Sequence, residues 1–282
     1  MTTDDTGSTA FYDTVYGSFA ERLSVTIRAE AFGEDIGQNS WLTAGEHRHF
    51  ARRLGLNRAS EVLEVASGSG GPALLMAHET GCQITGVDLH EAGVAAANQA
   101  AAKRGLAGQA RFLHADARQR LPFDDGTFDA VICIDSINHL YEREHVLREW
   151  HRVLRPGGRA LFTDPITIAG MLRRDEMIIR SAGMGEFVFT PAGVDEALLR
   201  QAGFTDIEVE DVTSNMAAVS GAWAAARDRH ASDLDHAEGR EVNARTQKFL
   251  RTVEHLALER RLLRLAYLAR TNATSTPRST QR

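Results

Sequence analysis

Cysteine, lysine and long apolar runs are scarce in this sequence, and each scarcity excludes a class of protein. The 282 residues include two cysteines, Cys82 and Cys133, both in predicted strands, so neither a disulfide framework nor a cysteine-rich zinc site is expected. With only Lys103 and Lys248 as lysines and a formal net charge of -6, the chain has no basic block, which argues against nucleic acid as a partner. No apolar run approaches the length of a membrane span.

The length and the overall composition of the chain are typical of one large globular domain. The polar, acidic start MTTDDTGSTA does not match a secretory signal, so we expect a cytoplasmic protein, monomeric or homodimeric. The 11 histidines are scattered without the spacing of a metal site, so no metal is expected.

Strand and helix patterns alternate from Glu61 onward, which predicts a parallel sheet with helices on both faces. Predicted strands cover residues 61–66, 83–87, 110–113, 130–134, 159–163, 206–212 and 261–270. Predicted helices cover residues 71–79, 92–104, 142–154 and 194–202. The remaining segments are predicted as a disordered start (1–10), a helical leader (11–56), a lid (166–192), a helical insertion (220–259) and a disordered tail (271–282).

A glycine turn follows the first predicted strand, in the stretch EVLEVASGSGGPALLMA. The spacing Gly68-x-Gly70-x-x-Ala73 fits the fingerprint of dinucleotide-binding enzymes, and it fits equally the turn that holds S-adenosylmethionine. The turn alone leaves both ligands open.

Three acids near predicted strand ends favour the second ligand. Glu64 precedes the turn, and Asp88 and Asp116 end the next two strands, where ligands bind in this kind of sheet. Asp88 is placed to accept from ribose hydroxyls and Asp116 from an adenine amino group, although acids at strand ends also simply cap helices. Carboxylates suit a cationic sulfonium, whereas a pyrophosphate is anionic and sits on the helix N-terminus, where the amide dipoles favour negative charge.

Several motifs in order resemble those of class I S-adenosylmethionine-dependent methyltransferases: VLEVASGSGG, GVDLH, HADARQRLPFDDGTFDAVICIDSINHL and RVLRPGGRALFTDP. The segments FGEDIGQNSW, IDSINHL and FTDP are similar to the sarcosine/dimethylglycine and phosphoethanolamine N-methyltransferase group. Two departures stand out: Ala66 and Ser67 replace the usual Gly and Cys, and GQNSW replaces the leader motif typical of phosphoethanolamine enzymes.

The resemblance implies a Rossmann-like, doubly wound α/β fold over residues 11–270, with seven strands, an antiparallel last strand and helical insertions. It also implies S-adenosylmethionine as cofactor and a set of residues around it. The expected cofactor residues are Gln38, Glu64, Ala66, Gly68, Gly70, Asp88, Leu89, Asp116, Ala117 and Cys133.

Acceptor residues are expected after the fourth and fifth strands and in the leader. Asp135 and His139, four apart, are expected as catalytic and substrate-binding groups, with Asp135 pairing with an ammonium, and they would share one face if this segment is helical. The alternative is that His139 only caps the next helix or packs under it. Further substrate contacts are expected from Tyr12, Tyr16 and Asp164, which packing or capping roles explain equally well.

The expected activity is methyl transfer to a small molecule, with an amine nitrogen favoured by family similarity. Oxygen or carbon methylation stays open, as does a cyclase that keeps the cofactor as a scaffold. A non-enzymatic cofactor-binding subunit is disfavoured by the polar residues expected at the acceptor rim.

Overall fold

A computed structural model of the protein describes residues 21–181 and 188–273. The strands are β1 (Glu61–Val65), β2 (Gln83–Asp88), β3 (Ala110–His114), β4 (Phe128–Cys133), β5 (Leu154–Ile168), β6 (Thr190–Pro191), β7 (Thr205–Asp211) and β8 (Leu262–Arg270). The helices are α1 (Arg22–Phe32), α2 (Ala44–Leu54), α3 (Gly71–Thr80), α4 (Glu91–Lys103), α5 (Arg143–Val153), α6 (Arg174–Ser181), α7 (Val194–Gln201), α8 (Thr213–Arg229), α9 (Ala231–Ala237) and α10 (Arg240–Leu258).

The strands form one sheet in the order β3-β2-β1-β4-β5-β8-β7. Strands β1 to β5 are parallel, while β8 runs antiparallel between β5 and β7. The predicted Rossmann-like sheet with an antiparallel last strand is therefore confirmed. The short β6, which pairs with β5 inside the predicted lid, has too few residues to leave a periodic signal.

Strand β5 is much longer than the five residues predicted for it. The RPGG segment, residues 155–158, lies within this strand. The pairing of β5 with β4 is irregular there, since its register shifts between Phe128 and Ala130. Gly157 there has φ +77°, a backbone conformation that glycine adopts without strain. At its other end β5 continues to Ile168, well past the predicted end at Thr163.

Helix α5 shows why helices cover the sheet. Its apolar residues recur every three to four positions, and Val146, Leu147, Trp150 and Val153 are all fully buried. The Trp150 ring meets the Phe162 ring of β5 edge-on at 5.8 Å between centroids. This stripe belongs to the same core cluster as Val131 and Cys133 of β4, so α5 covers this face of the sheet.

The helical insertion between β7 and β8 packs against the leader. Helices α8, α9 and α10 make up the insertion, which begins at Thr213, earlier than predicted, because its alanine-rich start has little periodic contrast. Trp41 of the leader lies 6.2 Å from Trp223 of α8 and 6.2 Å from Phe249 of α10, centroid to centroid. Within the described ranges, no helix is both long and apolar enough to cross a bilayer.

Candidate active site

A cavity of about 170 Å³ opens at the carboxyl ends of β1, β2, β3 and β4. A single bound water needs about 10–15 Å³, so this space suits a ligand of many atoms. Five segments of the chain line the cavity. They are the leader (Gly37, Asn39, Ser40), the end of β1 with the turn after it (Glu64, 66–69, Pro72), the end of β2 (87–90), the loop after β3 (115–118) and the loop after β4 (134–136, 139–141). The location is the crevice where strand order reverses, since β1 has β2 on one side and β4 on the other.

The turn after β1 curls its backbone around the cavity. Ala66 at φ +57° and Gly68 at φ +53° both adopt the left-handed conformation and both line the cavity, as expected. Gly70 does not line it. A Cβ there would lie 2.7 Å from the Phe112 ring and 2.8 Å from Ala97, so packing behind the turn requires this glycine.

Two buried acids meet beneath this turn. The Asp88 carboxylate accepts hydrogen bonds from Gly68 N at 2.7 Å and His90 N at 2.9 Å, which fixes the turn to the end of β2. Glu64 is 5% exposed, and its Oε2 has no hydrogen-bond partner among the described residues. Burial, and next the charge of Asp88, raises the pKa of Glu64 to about 8.

The third acid lies at the rim of the cavity after β3. Asp116 accepts from the backbone N of Arg118 at 2.9 Å and from its Nε at 2.9 Å, with Nη2 at 3.0 Å on the other oxygen. The Arg118 guanidinium lies 5.9 Å from the ring centroid of Tyr141, across the cavity mouth. Leu89 and Ala117, two of the expected cofactor residues, also line the cavity.

The leader reaches the cavity through the neighbours of Gln38. Gly37, Asn39 and Ser40 line the space, whereas Gln38 is 1% exposed and its Oε1 accepts from Ile36 N at 2.9 Å. Gln38 thus shapes the loop from behind and does not face the ligand space. Tyr12 and Tyr16 lie outside the described residues.

The leader backbone crosses directly over the start of α3, and this contact gives a stability prediction. A Cβ on Gly71 would lie 2.3 Å from the carbonyl oxygen of Ile36 and 2.4 Å from that of Gly37. We expect Gly71→Ala to lower the free energy of unfolding by about 1–3 kcal/mol, because backbone must move to admit the methyl group. Urea denaturation measures this change.

Gly45 is the matched control for Gly71. It lies within α2, where nothing is within 4 Å of an added Cβ. Gly45→Ala should raise the free energy of unfolding by about 0.5–1 kcal/mol, because alanine loses less backbone entropy in a helix. Equal effects of the two substitutions would contradict the close leader contact.

The acceptor side of the cavity follows β4. The segment that holds Asp135 and His139 is not an α-helix, since Asp135 has φ +52° and a single 3₁₀ turn, Ile137–His139, follows it. The tight turn nevertheless brings both residues to the cavity wall. His139 is half-buried there, beside Leu140 and Tyr141.

Both oxygens of Asp135 are engaged by protein donors. Oδ1 accepts from Thr163 Oγ1 at 2.7 Å and from Arg264 Nε at 2.7 Å, and Oδ2 accepts from Trp41 N at 2.8 Å. The sequence analysis did not identify Arg264 as a site residue. The pattern that indicates its role is a single charged residue inside the apolar run LLRLAYL of β8, because a cation buried there needs a buried partner.

Besides Gln38 and Gly70, two more of the expected site residues do not line the cavity. Cys133 is fully buried in the sheet, and burial raises the pKa of its thiol. Asp164 is fully buried and its Oδ2 accepts from Arg143 Nη1 at 2.7 Å, while Asp195 binds the same nitrogen. Asp164 was placed at a strand end because β5 was predicted too short, whereas the strand runs on to Ile168. Among the described residues, no cluster of three or more His, Cys, Asp or Glu is arranged to hold a metal ion.

Comparison with known proteins agrees with this geometry. The methyltransferase domain family matches residues 63–162. The 27-O-demethylrifamycin SV methyltransferase of Amycolatopsis mediterranei is 31% identical over 210 residues, covering 70% of this chain and 75% of the relative. The sarcosine/dimethylglycine N-methyltransferase of Halorhodospira halochloris is 33% identical over 189 residues, covering 65% of this chain and 64% of the relative.

Solved structures share the fold over nearly the whole chain. Phosphoethanolamine N-methyltransferase 2 of Haemonchus contortus superposes with a TM-score of 0.78 at 20% identity, covering 93% of this chain and 60% of that one. The [4+2]-cyclase SpnF has a TM-score of 0.73 at 26% identity, covering 94% and 96%. From its motifs, its cavity and these relatives, the chain belongs to the S-adenosylmethionine-dependent methyltransferases.

Proposed function

We propose that this methyltransferase acts on a hydroxyl oxygen of a small molecule, with His139 receiving the hydroxyl proton. The observation that carries the proposal is the position of His139 on the cavity wall after β4, on the far side of β1 from Asp88 and Asp116. An imidazole is suited to accept a proton near neutral pH. The 31% identical relative from Amycolatopsis mediterranei is named for a 27-O-demethyl substrate, which indicates methylation of an oxygen and supports the same acceptor atom here.

One argument for an amine nitrogen as the methyl acceptor, the atom that family similarity favoured, does not hold. Its predicted ammonium partner was Asp135, whose carboxylate is paired with Arg264 and also accepts from Thr163 and Trp41. A carboxylate already neutralised in this way has little left to offer a second cation. The N-methylating relative from Halorhodospira halochloris keeps nitrogen as the alternative outcome of the test.

The cavity residues fit S-adenosylmethionine, which is the cofactor of this family. When bound, it supplies a methyl group on a positively charged sulfonium. Glu64 has a buried oxygen without a hydrogen-bond partner among the described residues, which suits an ammonium group, and the carboxylates of Asp88 and Asp116 suit hydroxyl and amino donors. Gly68 leaves room at the turn between them.

The remaining work of the protein is to align the acceptor and exclude water. Leader residues Asn39 and Ser40 close one side of the cavity, and Leu140 and Tyr141 close another. A hydroxyl between these walls would lie within reach of His139, which would hold its proton on a ring nitrogen. Such general-base assistance typically contributes about 10²–10⁴-fold to a rate.

Cofactor binding should depend on pH through Glu64. Because the pKa of Glu64 is about 8 in the unliganded protein, its carboxyl is mostly protonated at pH 7 and must ionise to hold an ammonium. Affinity for S-adenosylhomocysteine should therefore rise between about pH 6 and pH 8, and binding at pH 7 should release a proton. Calorimetry in buffers of different ionisation enthalpy measures that proton.

Glu64→Gln is the control for this pH dependence. It keeps the shape of the side chain and leaves the ligand's own amino group, which stays protonated at pH 7 beside its carboxylate, as the remaining ionisation. The variant should show weaker binding and no proton release at pH 7. Equal proton release in both proteins would show that Glu64 does not face the ligand.

The acceptor atom is tested with matched substrate pairs. The protein is incubated with methyl-labelled S-adenosylmethionine and scaffolds that differ only in a hydroxyl or an amine, and label transfer and S-adenosylhomocysteine are followed. We expect label on the hydroxyl members only. Label confined to the amines would overturn the oxygen assignment, and rearranged product without label would favour a cyclase.

A further inference from the structure

Arg264 is a fully buried cation in β8 that connects distant parts of the chain. Its Nε donates to Asp135 Oδ1 at 2.7 Å, after β4. Its Nη1 donates to both oxygens of Glu46 in α2, at 2.8 Å and 2.7 Å. Its backbone N donates to Thr213 Oγ1 at 3.0 Å, at the start of α8. One side chain thus contacts the leader and the sheet, while its backbone contacts the helical insertion.

The peptide of Trp41 links this network to the leader residues that line the cavity. Its N–H donates to Asp135 Oδ2 at 2.8 Å, on the carboxylate that Arg264 orients. Its carbonyl oxygen accepts from Asn215 Nδ2 at 2.9 Å, in α8. Trp41 directly follows Asn39 and Ser40, so fixing its peptide fixes the leader residues that line the cavity.

Glu46 secures the same leader from its other end. The residue lies in the first turn of α2, and its backbone N donates to Thr43 Oγ1, the N-cap of that helix. The Glu46 side chain is 8% exposed, and burial raises the pKa of its carboxyl. Arg264 therefore holds residues 41–46 through two separate contacts, one to each carboxylate, in a region where unpaired charges are strongly unfavourable.

We propose that Arg264 is a positioning residue that holds the leader segment 37–42 closed over the cofactor cavity. It acts through Asp135 and Glu46 and has no contact with the cavity itself. The consequence is that Arg264 sets how tightly the cofactor is retained, more than how fast the methyl group moves. The inference rests on the assignment of this cavity to the cofactor and is independent of the acceptor atom.

The test compares Arg264→Met and Glu46→Gln with the wild-type protein. Binding of S-adenosylhomocysteine is measured by calorimetry, and hydrogen–deuterium exchange is measured for peptides that cover residues 36–43. Arg264→Met should weaken binding about tenfold or more and speed exchange of the Trp41 amide, because a buried hydrogen-bonded charge is lost. Glu46→Gln keeps the shape and one acceptor, so both effects should be smaller and in the same direction, about threefold in affinity.

Arg143→Met is the matched control. Arg143 is also buried and also pairs with two carboxylates, Asp164 and Asp195, but among the described residues its hydrogen bonds and ion pairs do not reach the leader. Its loss should lower the melting temperature as Arg264→Met does, with affinity within about twofold of wild type and unchanged exchange at Trp41.

Each remaining outcome has one meaning. Equal loss of affinity in Arg264→Met and Arg143→Met, or unchanged affinity and exchange in Arg264→Met, would overturn the positioning role. If Arg264→Met does not fold, Glu46→Gln decides alone, and wild-type binding and exchange in that variant would overturn it too. A wild-type protein that fails to bind S-adenosylhomocysteine would instead refute the cofactor assignment of the cavity.

Discussion

Asp88→Ala is expected to lower the affinity for S-adenosylhomocysteine about 100-fold or more. Hydrogen bonds to a charged group are worth about 1.5–3 kcal/mol each, and the expected ribose contact uses two. The substitution also releases Gly68 N, which Asp88 holds at 2.7 Å, so the turn around the cavity loosens as well. Calorimetric titration of the folded variant, with circular dichroism to confirm the fold, measures the loss.

Asp211→Ala is the control for Asp88. Asp211 ends β7 as Asp88 ends β2, and its Oδ1 accepts from the backbone N two residues on, Thr213, at 3.0 Å. It matches the local geometry of Asp88 with His90 but is not part of the cavity wall. Affinity should stay within about twofold of wild type, since no ligand contact is lost. Unchanged affinity in Asp88→Ala would remove Asp88 from the cofactor site.

His139→Ala should lower turnover about 100-fold or more while leaving affinity for S-adenosylhomocysteine near the wild-type value. The reason is that His139 lies on the acceptor side of the cavity and is expected to take a proton only during the reaction. Single-turnover kinetics with a hydroxyl acceptor, together with calorimetry, separate the two quantities. His139→Gln, which hydrogen-bonds but is not a base, should be nearly as slow.

His145→Ala is the matched control, because His145 is half-buried on α5 and does not line the cavity. It should retain wild-type turnover. Full activity in His139→Gln would limit His139 to a hydrogen-bonding role. Full activity in His139→Ala as well would return it to packing.

The order of the strands explains why these residues meet. Glu64 and Asp88 lie on adjacent strands, with Glu64 beside Gly86 in the register of β1 with β2. β4 lies on the opposite side of β1 and delivers Asp135 and His139. Glu64 and Asp88 thus approach the crevice from one side and Asp135 and His139 from the other, as expected where the order of a doubly wound sheet reverses.

The predicted type and order of the strands and helices were confirmed, because they depend on local residue patterns. The predicted ends of these elements were less accurate. The apolar stripe of α5 and the alternation of strands and helices were read correctly from spacing. Asp164 was misplaced because five predicted residues of β5 became a strand that extends to Ile168. Whether Asp135 and His139 share a helical face depended on the backbone of that segment, and the left-handed backbone at Asp135, which has tertiary contacts on its side chain, excludes an α-helix there.

The sequence by itself determined the sheet, the glycine turn and the acids near the strand ends, because these depend on periodicity and short spacings. Only the tertiary structure decided that Asp135 is paired with Arg264, 129 residues away, and that Gly71 is required by the leader backbone. The partner of a buried charge and the atoms that face a glycine come from remote parts of the chain. No local pattern encodes them, so they become visible only when the chain is folded.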